Sequence, residues 1–422
     1  MPAVLIISPH FPPSNQVGAH RARLFAIHLP AFGWEPVILT VDEKYYEESL
    51  DHNLSRLVPK GLRVEKAGAF RVTRPRLVGD IGLRGFFQLY RKAKKLIREN
   101  QIDFLLVTIP SFYPALLGRL LHARTGIPYG IDYQDPWVHR FPGSDRMFSR
   151  HWFSMKLSGF LEPIAVKNAA LITGVAEGYY KGVLDRNPGL RRRALTGAMP
   201  IGGEMADHDK VSELGLRPYL FDRTPGKIRL MYAGAMLPKA YAPLEAILDT
   251  ISRHPGVFDN LEIYFIGTGR TPDDPKGYTI RPLAEKYGLW NTVIFEHPRR
   301  IPYLDVLVHL EAVDGVFILG STEPHYTPSK VYQGVLSRKP ILAVLHQASS
   351  AVAVIRSANT GVVLAYDGEA EVHRIKEEFV GIYQHFMTFM RNFDPRQVNM
   401  EAFEQYSARQ VTAALAQLLN KL

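Results

Sequence analysis

The chain has 422 residues, of which 46% are hydrophobic and 22% are charged. This composition excludes collagen-like, disordered and multi-span membrane proteins, and the length favours two domains. The absence of cysteine excludes a disulfide framework and a thiolate metal site, and it fits a reducing compartment. The net charge of +10 arises in the first half, since residues 1–200 hold 28 Lys and Arg against 16 Asp and Glu, whereas residues 201–422 hold 23 against 25.

The first half alternates short apolar strands with helical segments. The chain begins with an apolar run that no basic segment precedes, so we expect a buried strand here and not a signal peptide. Continuous apolar strands alternating with helices predict a parallel sheet covered on both faces. The predicted strands are Val4–Ser8, Glu35–Thr40, Ile102–Ile109, 128–133 and Ala170–Val175, and the predicted helices are Ala19–Phe32 and 115–126.

The second half repeats this pattern after a polar stretch rich in glycine and proline, 206–226, which we interpret as a linker. Six strands are predicted, at Lys227–Ala235, 261–270, 293–298, 314–321, 339–345 and 360–366. Helices are predicted at Tyr303–Ala312, Lys330–Leu336 and Asn399–Leu422. Two successive α/β sheets place their ligand sites outside the carboxyl ends of their strands.

Six segments of the sequence, taken in their order along the chain, resemble the motifs of one protein family. They are SPHFPPSNQVGAHRAR, GWEP before the second strand, DYQDPW, YAGAM, FIGTG and TPSKVYQGVLSRKPILAV. Together they resemble the group-1 glycosyltransferases, a family that builds bacterial surface polysaccharides, mostly with retention of configuration. The resemblance implies the α/β GT-B fold: two facing Rossmann-like domains, the first for the acceptor and the second for a nucleotide-sugar, with a last helix that returns to the first domain.

The loop after the first strand is a candidate phosphate site. Gly18, at a strand–loop–helix junction, allows main-chain N–H groups to approach a diphosphate. The alternative is a glycine kept for tight packing. His10 lies in the same loop and is a candidate for a catalytic role, with a solvated histidine as the alternative.

The segment DYQDPW follows a predicted strand and therefore lies at its carboxyl end. The resemblance implies a histidine that contacts the donor sugar here, and Gln134 stands in its place. We expect Asp135 to act as an acid/base or to stabilise positive charge on the donor. The alternative is that Asp135 caps a turn while Trp137 packs in the core.

The corresponding turn of the second half contains Gly234 but departs from the family. The resemblance implies an arginine directly after this glycine and a lysine about five residues later, whereas Ala235 stands in the first place and Lys239 only near the second. The candidates for binding the diphosphate are therefore Lys239, Arg270 and Lys330, with main-chain groups at Gly234 and Gly267 and the hydroxyl of Ser329.

The family also carries two glutamates eight positions apart, one for the sugar hydroxyls and one for the ribose. Counting back from Pro340 places His325 and Gln333 at these positions, with Glu323 two residues before the first. Glutamine keeps hydrogen-bonding capacity but not charge. We expect Gln333 to contact the ribose and Glu323 or His325 to contact the sugar.

Two further segments complete the candidate donor site. His297, in FEHPRR, falls where the family frames the nucleotide base. The adjacent Asp273 and Asp274 suggest a metal site, but they lie in a proline-flanked loop, and the resemblance implies that neither a metal nor another cofactor is needed.

The excess positive charge of the first half indicates a partner for this domain. Ile81–Arg98 combines an apolar face with six Lys and Arg, which is typical of an interfacial helix, and Arg146–Phe160 is a second aromatic-rich stretch. Each segment alone is more typical of an ordinary amphipathic helix of an α/β domain, but together with the excess positive charge of this half they lead us to expect contact with an anionic membrane surface. No nucleic-acid-reading motif is present, so no nucleic acid is expected as a partner.

Taken together, the sequence predicts a metal-independent glycosyltransferase in the cytoplasm, peripheral to the inner face of the cell membrane, with a lipid-linked or glycan acceptor. The expected domains are residues 1–205 and 227–395, with 396–422 as a helix packed on the first domain. The altered donor motif leaves two alternatives open: a non-catalytic GT-B scaffold with a degenerate donor site, and a GT-B sugar-nucleotide epimerase.

Overall fold

The structure is a computed structural model that describes residues 1–73, 78–138, 146–222, 224–271, 273–324 and 326–422. The strands of the described residues are β1 (Ala3–Ile7), β2 (Glu35–Val41), β3 (Arg63–Ala67), β4 (Phe104–Ile109), β5 (Tyr129–Tyr133), β6 (Leu171–Gly174), β7 (Leu195–Ala198), β8 (Ile228–Ala233), β9 (Leu261–Ile266), β10 (Ile294–His297), β11 (Gly315–Leu319), β12 (Ile341–His346) and β13 (Gly361–Tyr366).

The helices of the described residues are α1 (Val17–His28), α2 (His52–Ser55), α3 (Ile81–Arg84), α4 (Phe86–Glu99), α5 (Ala115–Thr125), α6 (Arg150–Val166), α7 (Glu177–Arg186), α8 (Pro188–Arg191), α9 (Met205–Glu213), α10 (Tyr241–Arg253), α11 (Pro255–Phe258), α12 (Arg281–Lys286), α13 (Tyr303–Ala312), α14 (Lys330–Leu336), α15 (Ser350–Ser357), α16 (Val372–Arg391), α17 (Met400–Glu404) and α18 (Ala408–Leu419).

The chain forms two compact units. The first unit contains residues 1–201 and 408–422, and the second contains residues 202–407. Each unit is built on one parallel sheet, so the α/β architecture expected from the alternating apolar strands is confirmed.

The first unit has a seven-stranded sheet of order β3-β2-β1-β4-β5-β6-β7. Successive side chains of β1 point to opposite faces: Leu5 and Ile7 pack with α4, α5 and α6, whereas Val4 and Ile6 pack with α1 and α18. All four side chains are fully buried. A strand buried on both faces explains the continuous apolar runs in the sequence.

The second unit has a six-stranded sheet of order β10-β9-β8-β11-β12-β13. Helices α10 and α16 pack together over its core, where Phe258 of α11 stacks on Phe379 of α16 with ring centroids 5.8 Å apart. In a parallel sheet the loops that follow neighbouring strands lie at one edge. The loops after β8, β9, β10 and β11 therefore carry the candidate donor residues at one edge of this unit.

Several predicted boundaries differ from the structure. The stretch expected to be a linker begins with α9, which packs on α13 inside the second unit. The expected C-terminal helix is two helices, α17 in the second unit and α18 in the first, where α18 packs on α1 and β7. The expected interfacial helix is likewise two helices, α3 and α4, that meet at Gly85, where a Cβ would lie 2.9 Å from Val41 Cγ2.

None of the described helices combines the length and the apolar character that crossing a membrane requires.

Candidate functional site

The first candidate group lies at the start of α1 in the first unit. A Cβ on Gly18 would stand 3.8 Å from Nε2 of Gln134, the residue that follows β5. Gln134 is 5% exposed, and neither polar atom of its side chain has a hydrogen-bond partner within the described residues. Because a buried polar group without a partner costs about 1–3 kcal/mol, this amide is suited to receive a ligand.

His10, in the loop after β1, belongs to a charged hydrogen-bonded cluster. Its Nδ1 lies 3.0 Å from Oε1 of Glu48 and 3.2 Å from Oγ of Ser14, and its ring lies 5.2 Å from that of Tyr46. Desolvation raises the pKa of Glu48, but the hydrogen bond and charge of His10 and the hydroxyl of Ser14 outweigh it and lower the pKa to about 2. Glu48 is therefore a carboxylate at neutral pH and accepts hydrogen bonds from Nδ1 of His10 and from Oγ of Ser14, and these contacts fix the orientation of the His10 ring.

The two aspartates of DYQDPW have different surroundings. Asp132 is fully buried and accepts two hydrogen bonds from Arg21, both 2.9 Å long, and one of 2.7 Å from Thr173. Arg21 also donates to the carbonyl of Pro200. Asp132 is thus fully engaged in holding β5, β6 and α1 together and is not available to a substrate.

Asp135 is an exposed residue, but the protein atoms around its carboxyl still desolvate this group and raise its pKa to about 6. The neighbouring Trp137 packs in the core, as the structural alternative predicted, and stacks on Phe112 with ring centroids 5.9 Å apart. A carboxylate with a raised pKa is typical of acid/base groups in active sites.

In the second unit, Lys330 at the start of α14 lies against the turn that follows β8. Its Cε is 3.7 Å from the position of a Cβ on Gly234, whose φ of +138° favours glycine. Desolvation, together with the charge of Arg300, lowers the pKa of Lys330 to about 8. No carboxylate among the described residues opposes these effects, so Lys330 is a largely desolvated cation without an anionic partner.

Two other donor candidates contact each other. Nζ of Lys239 lies 3.6 Å from Oε1 of Glu323, which joins the loops after β8 and β11. The N–H of Thr322 donates to the carbonyl of Lys239 at 3.2 Å, and the buried Oγ1 of Thr322 has no partner within the described residues. No sequence motif singled out Thr322. His325 lies outside the described residues.

Gln333 is 9% exposed and is held by a residue that the sequence did not single out. Its Oε1 lies 3.0 Å from Nε2 of His208 on α9, and Nδ1 of His208 lies 2.9 Å from Oε1 of Glu311. The side-chain amide of Gln333 is thus held in place by His208. A ribose bound at Gln333 therefore contacts an amide whose oxygen is already hydrogen-bonded to His208.

The loops after β9 and β10 pair through their main chains. The N–H of Gly267 donates to the main-chain carbonyl of His297 at 2.8 Å, and a Cβ on Gly269 would lie 2.9 Å from the carbonyl of Pro298. Burial lowers the pKa of His297, and the charge of Arg299 lowers it further, so the ring is neutral at pH 7. Arg270 is exposed in the same loop.

Ser329 precedes α14, and its side chain makes no capping hydrogen bond. Asp274 accepts a hydrogen bond from the N–H of Lys276 at 2.9 Å, as expected for a turn residue. Within the described ranges, no group of three or more acidic or histidine side chains is arranged to hold a metal ion.

No protein-family model matches the chain, and the search of curated proteins finds no match. Among solved structures, the chain is similar to HepE of Anabaena in complex with UDP, with a TM-score of 0.60, 14% identity and 100% of both chains covered. It is also similar to the sucrose-phosphate synthase of Thermosynechococcus elongatus, with a TM-score of 0.62, 13% identity and 100% of this chain and 99% of that chain covered.

A third similar structure is a UDP-forming trehalose-phosphate synthase from Burkholderia xenovorans, with a TM-score of 0.64, 14% identity and coverage of 100% of this chain and 99% of that chain. At such identities a structural likeness shows the fold alone. The likeness extends over the whole chain and includes both parallel sheets. The protein therefore has the GT-B fold that the motifs indicate.

Proposed function

We propose that the protein is a glycosyltransferase that moves a sugar from a nucleotide-sugar to a lipid-linked or glycan acceptor in bacterial polysaccharide or glycolipid biosynthesis. The observation that carries this proposal is Lys330, a desolvated cation without a carboxylate partner beside the Gly234 turn. A diphosphate supplies the missing negative charge, and a glycine turn, which carries no side chain, allows it to approach the main chain closely. The similar HepE structures, solved with UDP and with UDP-glucose, support this reading.

The second unit offers groups for each part of such a donor. Lys330 binds the diphosphate beside the Gly234 turn, with the hydroxyl of Ser329 as a further donor, while the N–H of Gly234 itself donates to the carbonyl of Ile266 at 2.8 Å. Glu323 and Thr322 bind sugar hydroxyls, and the ion pair between Lys239 and Glu323, being half-exposed and 3.6 Å long, opens at little cost.

The remaining candidate residues at this edge of the second sheet are assigned to the nucleoside. Gln333 offers its amide to the ribose, and neutral His297 faces the base, with Arg270 as an exposed cation in the neighbouring loop. Gly267 keeps the main chain of that loop paired with His297.

The first unit supplies the groups for the acceptor. The acceptor hydroxyl oxygen bonds to the anomeric carbon, the bond from that carbon to the phosphate oxygen breaks, and the nucleoside diphosphate leaves with the electron pair. Nε2 of His10 accepts the hydroxyl proton while Glu48 stabilises the resulting imidazolium. Asp135, largely ionised at pH 7 because its pKa is about 6, stabilises positive charge on the sugar or serves as the base in place of His10.

These assignments require no metal, so we expect turnover to continue in EDTA. The first test is a thermal-shift panel of UDP-, GDP-, TDP- and ADP-sugars against the full chain. A ligand that binds the folded state raises the melting temperature, so one nucleotide class is expected to stand out. If no member of the panel shifts the transition, the proposal is wrong.

The structure also favours one alternative, a non-catalytic protein with a degenerate donor site. Gln333 is engaged by His208, and Lys239 is paired with Glu323, so two donor candidates already have partners within the unit. Transfer of a radiolabelled sugar to a membrane or glycan extract distinguishes the two. Transfer that is lost in Asp135→Asn excludes the alternative, whereas nucleotide binding without any transfer or hydrolysis supports it.

A further inference from the structure

Three helices form one layer on a single face of the first unit. Helix α5 packs against α4 on one side and against α6 on the other. The buried sides of these helices, among them Leu89 of α4, Leu117 of α5 and Ala165 of α6, belong to one core cluster. Their outer sides therefore form one continuous surface, which we call the outer layer of α4, α5 and α6.

The α6 part of this outer layer is apolar. Phe153, Leu157, Phe160 and Ile164 are 55%, 44%, 68% and 43% exposed, and their spacing of four, three and four residues places them on one side of the helix. Met147 and Phe148, just before α6, are 65% and 72% exposed, and Leu120 of α5 is 45% exposed. A continuous apolar surface of this kind marks an interaction site, unlike single exposed apolar residues.

The α4 part of the outer layer is cationic. A groove of about 800 Å³ lies along this helix, and its lining consists of Phe70, Phe87, Gln88, Tyr90, Arg91, Lys94, Lys95, Arg98 and Glu99. Four of these residues are cations and one is an anion. Lys95 lies 3.6 Å from Glu99, whereas Arg91, Lys94 and Arg98 make no ion pair within the described part of the chain.

We propose that the outer layer of α4, α5 and α6 docks on the surface of an anionic lipid bilayer. The apolar side chains of α6 insert below the headgroups, and the cations of α4 bind headgroup phosphates. Aromatic and aliphatic side chains beside unpaired Lys and Arg complement a surface that is apolar inside and negatively charged outside. None of these residues is assigned to the donor or to catalysis, so this inference stands apart from the proposed transferase activity.

Charge complementarity favours a bilayer over a protein partner. Phe87 of α4 is 66% exposed beside the cations, so the apolar and cationic parts of the outer layer interleave at this helix. Lys156 lies 5.6 Å from the ring of Trp152 on α6 itself, which places a cation along the apolar part as well. Lys and Arg that flank inserted aromatic side chains are typical of helices that lie at a membrane interface.

The test is co-sedimentation of the full chain with vesicles of phosphatidylcholine alone and with 30% phosphatidylglycerol added, at low salt and at 0.5 M NaCl. We expect saturable binding to the anionic vesicles that 0.5 M NaCl largely abolishes, because salt screens exposed charges. Lys94→Ala with Arg98→Ala is expected to weaken binding by about 30-fold, since each surface cation contributes about 1 kcal/mol. Lys60→Ala with Lys421→Ala removes the same charge elsewhere in the first unit and is expected to leave binding within about threefold.

The apolar part is tested with Phe153→Ser and Phe160→Ser together, which we expect to lower binding by tenfold or more. Phe160→Trp keeps the apolar surface and is expected to retain binding, with a blue shift of tryptophan emission on vesicles. Equal vesicle binding by the native chain and the double serine variant overturns the proposal. The proposal is also overturned if the native chain binds no vesicles and instead forms a dimer in sedimentation velocity that the double serine variant does not form. In that case a second copy of the chain covers the outer layer of α4, α5 and α6.

Discussion

Lys330 and Gly234 meet at the carboxyl end of β8, where Cε of the lysine lies 3.7 Å from the position that a Cβ on residue 234 would occupy. The glycine adopts a φ of +138°, and the lysine has no carboxylate neighbour among the described residues. This contact places an unpaired positive charge beside a turn residue that carries no side chain, and the proposed donor site depends on it.

Gly234→Ala is expected to weaken UDP binding by about tenfold and to lower the melting temperature. The new methyl group forces a strained main-chain conformation, which costs about 1–3 kcal/mol, and contacts the side chain of Lys330. Isothermal titration and differential scanning calorimetry measure the two effects. Gly256→Ala in α11, where a Cβ meets no atom within 4 Å, is the control and is expected to leave both unchanged.

The affinity for UDP is expected to fall as the pH rises above about 8, by up to tenfold per pH unit. Desolvation lowers the pKa of Lys330 to about 8, so above this pH the free protein must take up a proton before it binds the diphosphate. Lys330→Arg remains charged at every pH used and is expected to abolish this dependence between pH 7 and pH 9. An identical pH profile for the arginine variant contradicts the assignment.

Asp135→Asn is expected to lower turnover by 100-fold or more while raising the melting temperature at pH 7.5. Because desolvation raises the pKa of Asp135 to about 6, ionising this group costs folding free energy, and the stability that the neutral form gives is lost as the pH rises through 6. At pH 4 the variant and the native chain are therefore expected to melt at nearly the same temperature. A variant that is less stable at pH 7.5 shows instead that the carboxylate is structural. Asp209→Asn, at an exposed position, is the control.

Glu48→Gln is expected to lower kcat by about tenfold or more with little change in the KM for the donor. The carboxylate is held ionised by its contacts with His10 and Ser14, and its charge stabilises the imidazolium that forms when His10 accepts a proton. Steady-state kinetics separate the two parameters. Glu43→Gln removes the similarly placed carboxylate that pairs with Lys66 at 2.6 Å and is expected to leave kcat unchanged. A matching loss in both variants points to a general charge effect and not to His10.

The apolar strands were predictable because they are buried on both faces and consist mostly of apolar residues. The sequence did not reveal β3 and β7. Strand β3 has the sequence RVEKA at one edge of its sheet, where half-exposed polar side chains remove the apolar signal, and β7 is a four-residue edge strand. Helix α9 was missed because glycine and proline surround it, although Asp207 and His208 of this helix are buried against the second unit.

Candidate site residues were predictable where they come after the carboxyl ends of predicted strands. Gly18 comes after β1 and Gln134 directly follows β5, which β4 separates from β1 in the first sheet. Gly234 and Lys330 lie at one edge of the second sheet. Partners that come from distant parts of the chain gave no signal: Glu48 lies 38 positions from His10, and His208 lies 125 positions from Gln333. The burial that turns Asp132 into a structural residue, and the desolvation that raises the pKa of the exposed Asp135, also depend on packing that no local pattern encodes.

The most direct measurement is an isothermal titration of UDP into the native chain, Lys330→Ala and, as a control for charge, Lys276→Ala, an exposed lysine of the same unit. We predict saturable binding by the native chain and by Lys276→Ala, with affinity at least 30-fold weaker in Lys330→Ala, as expected for the loss of one charge-assisted contact to phosphate. Equal UDP affinity in the native chain and Lys330→Ala, both folded by circular dichroism, would contradict the account.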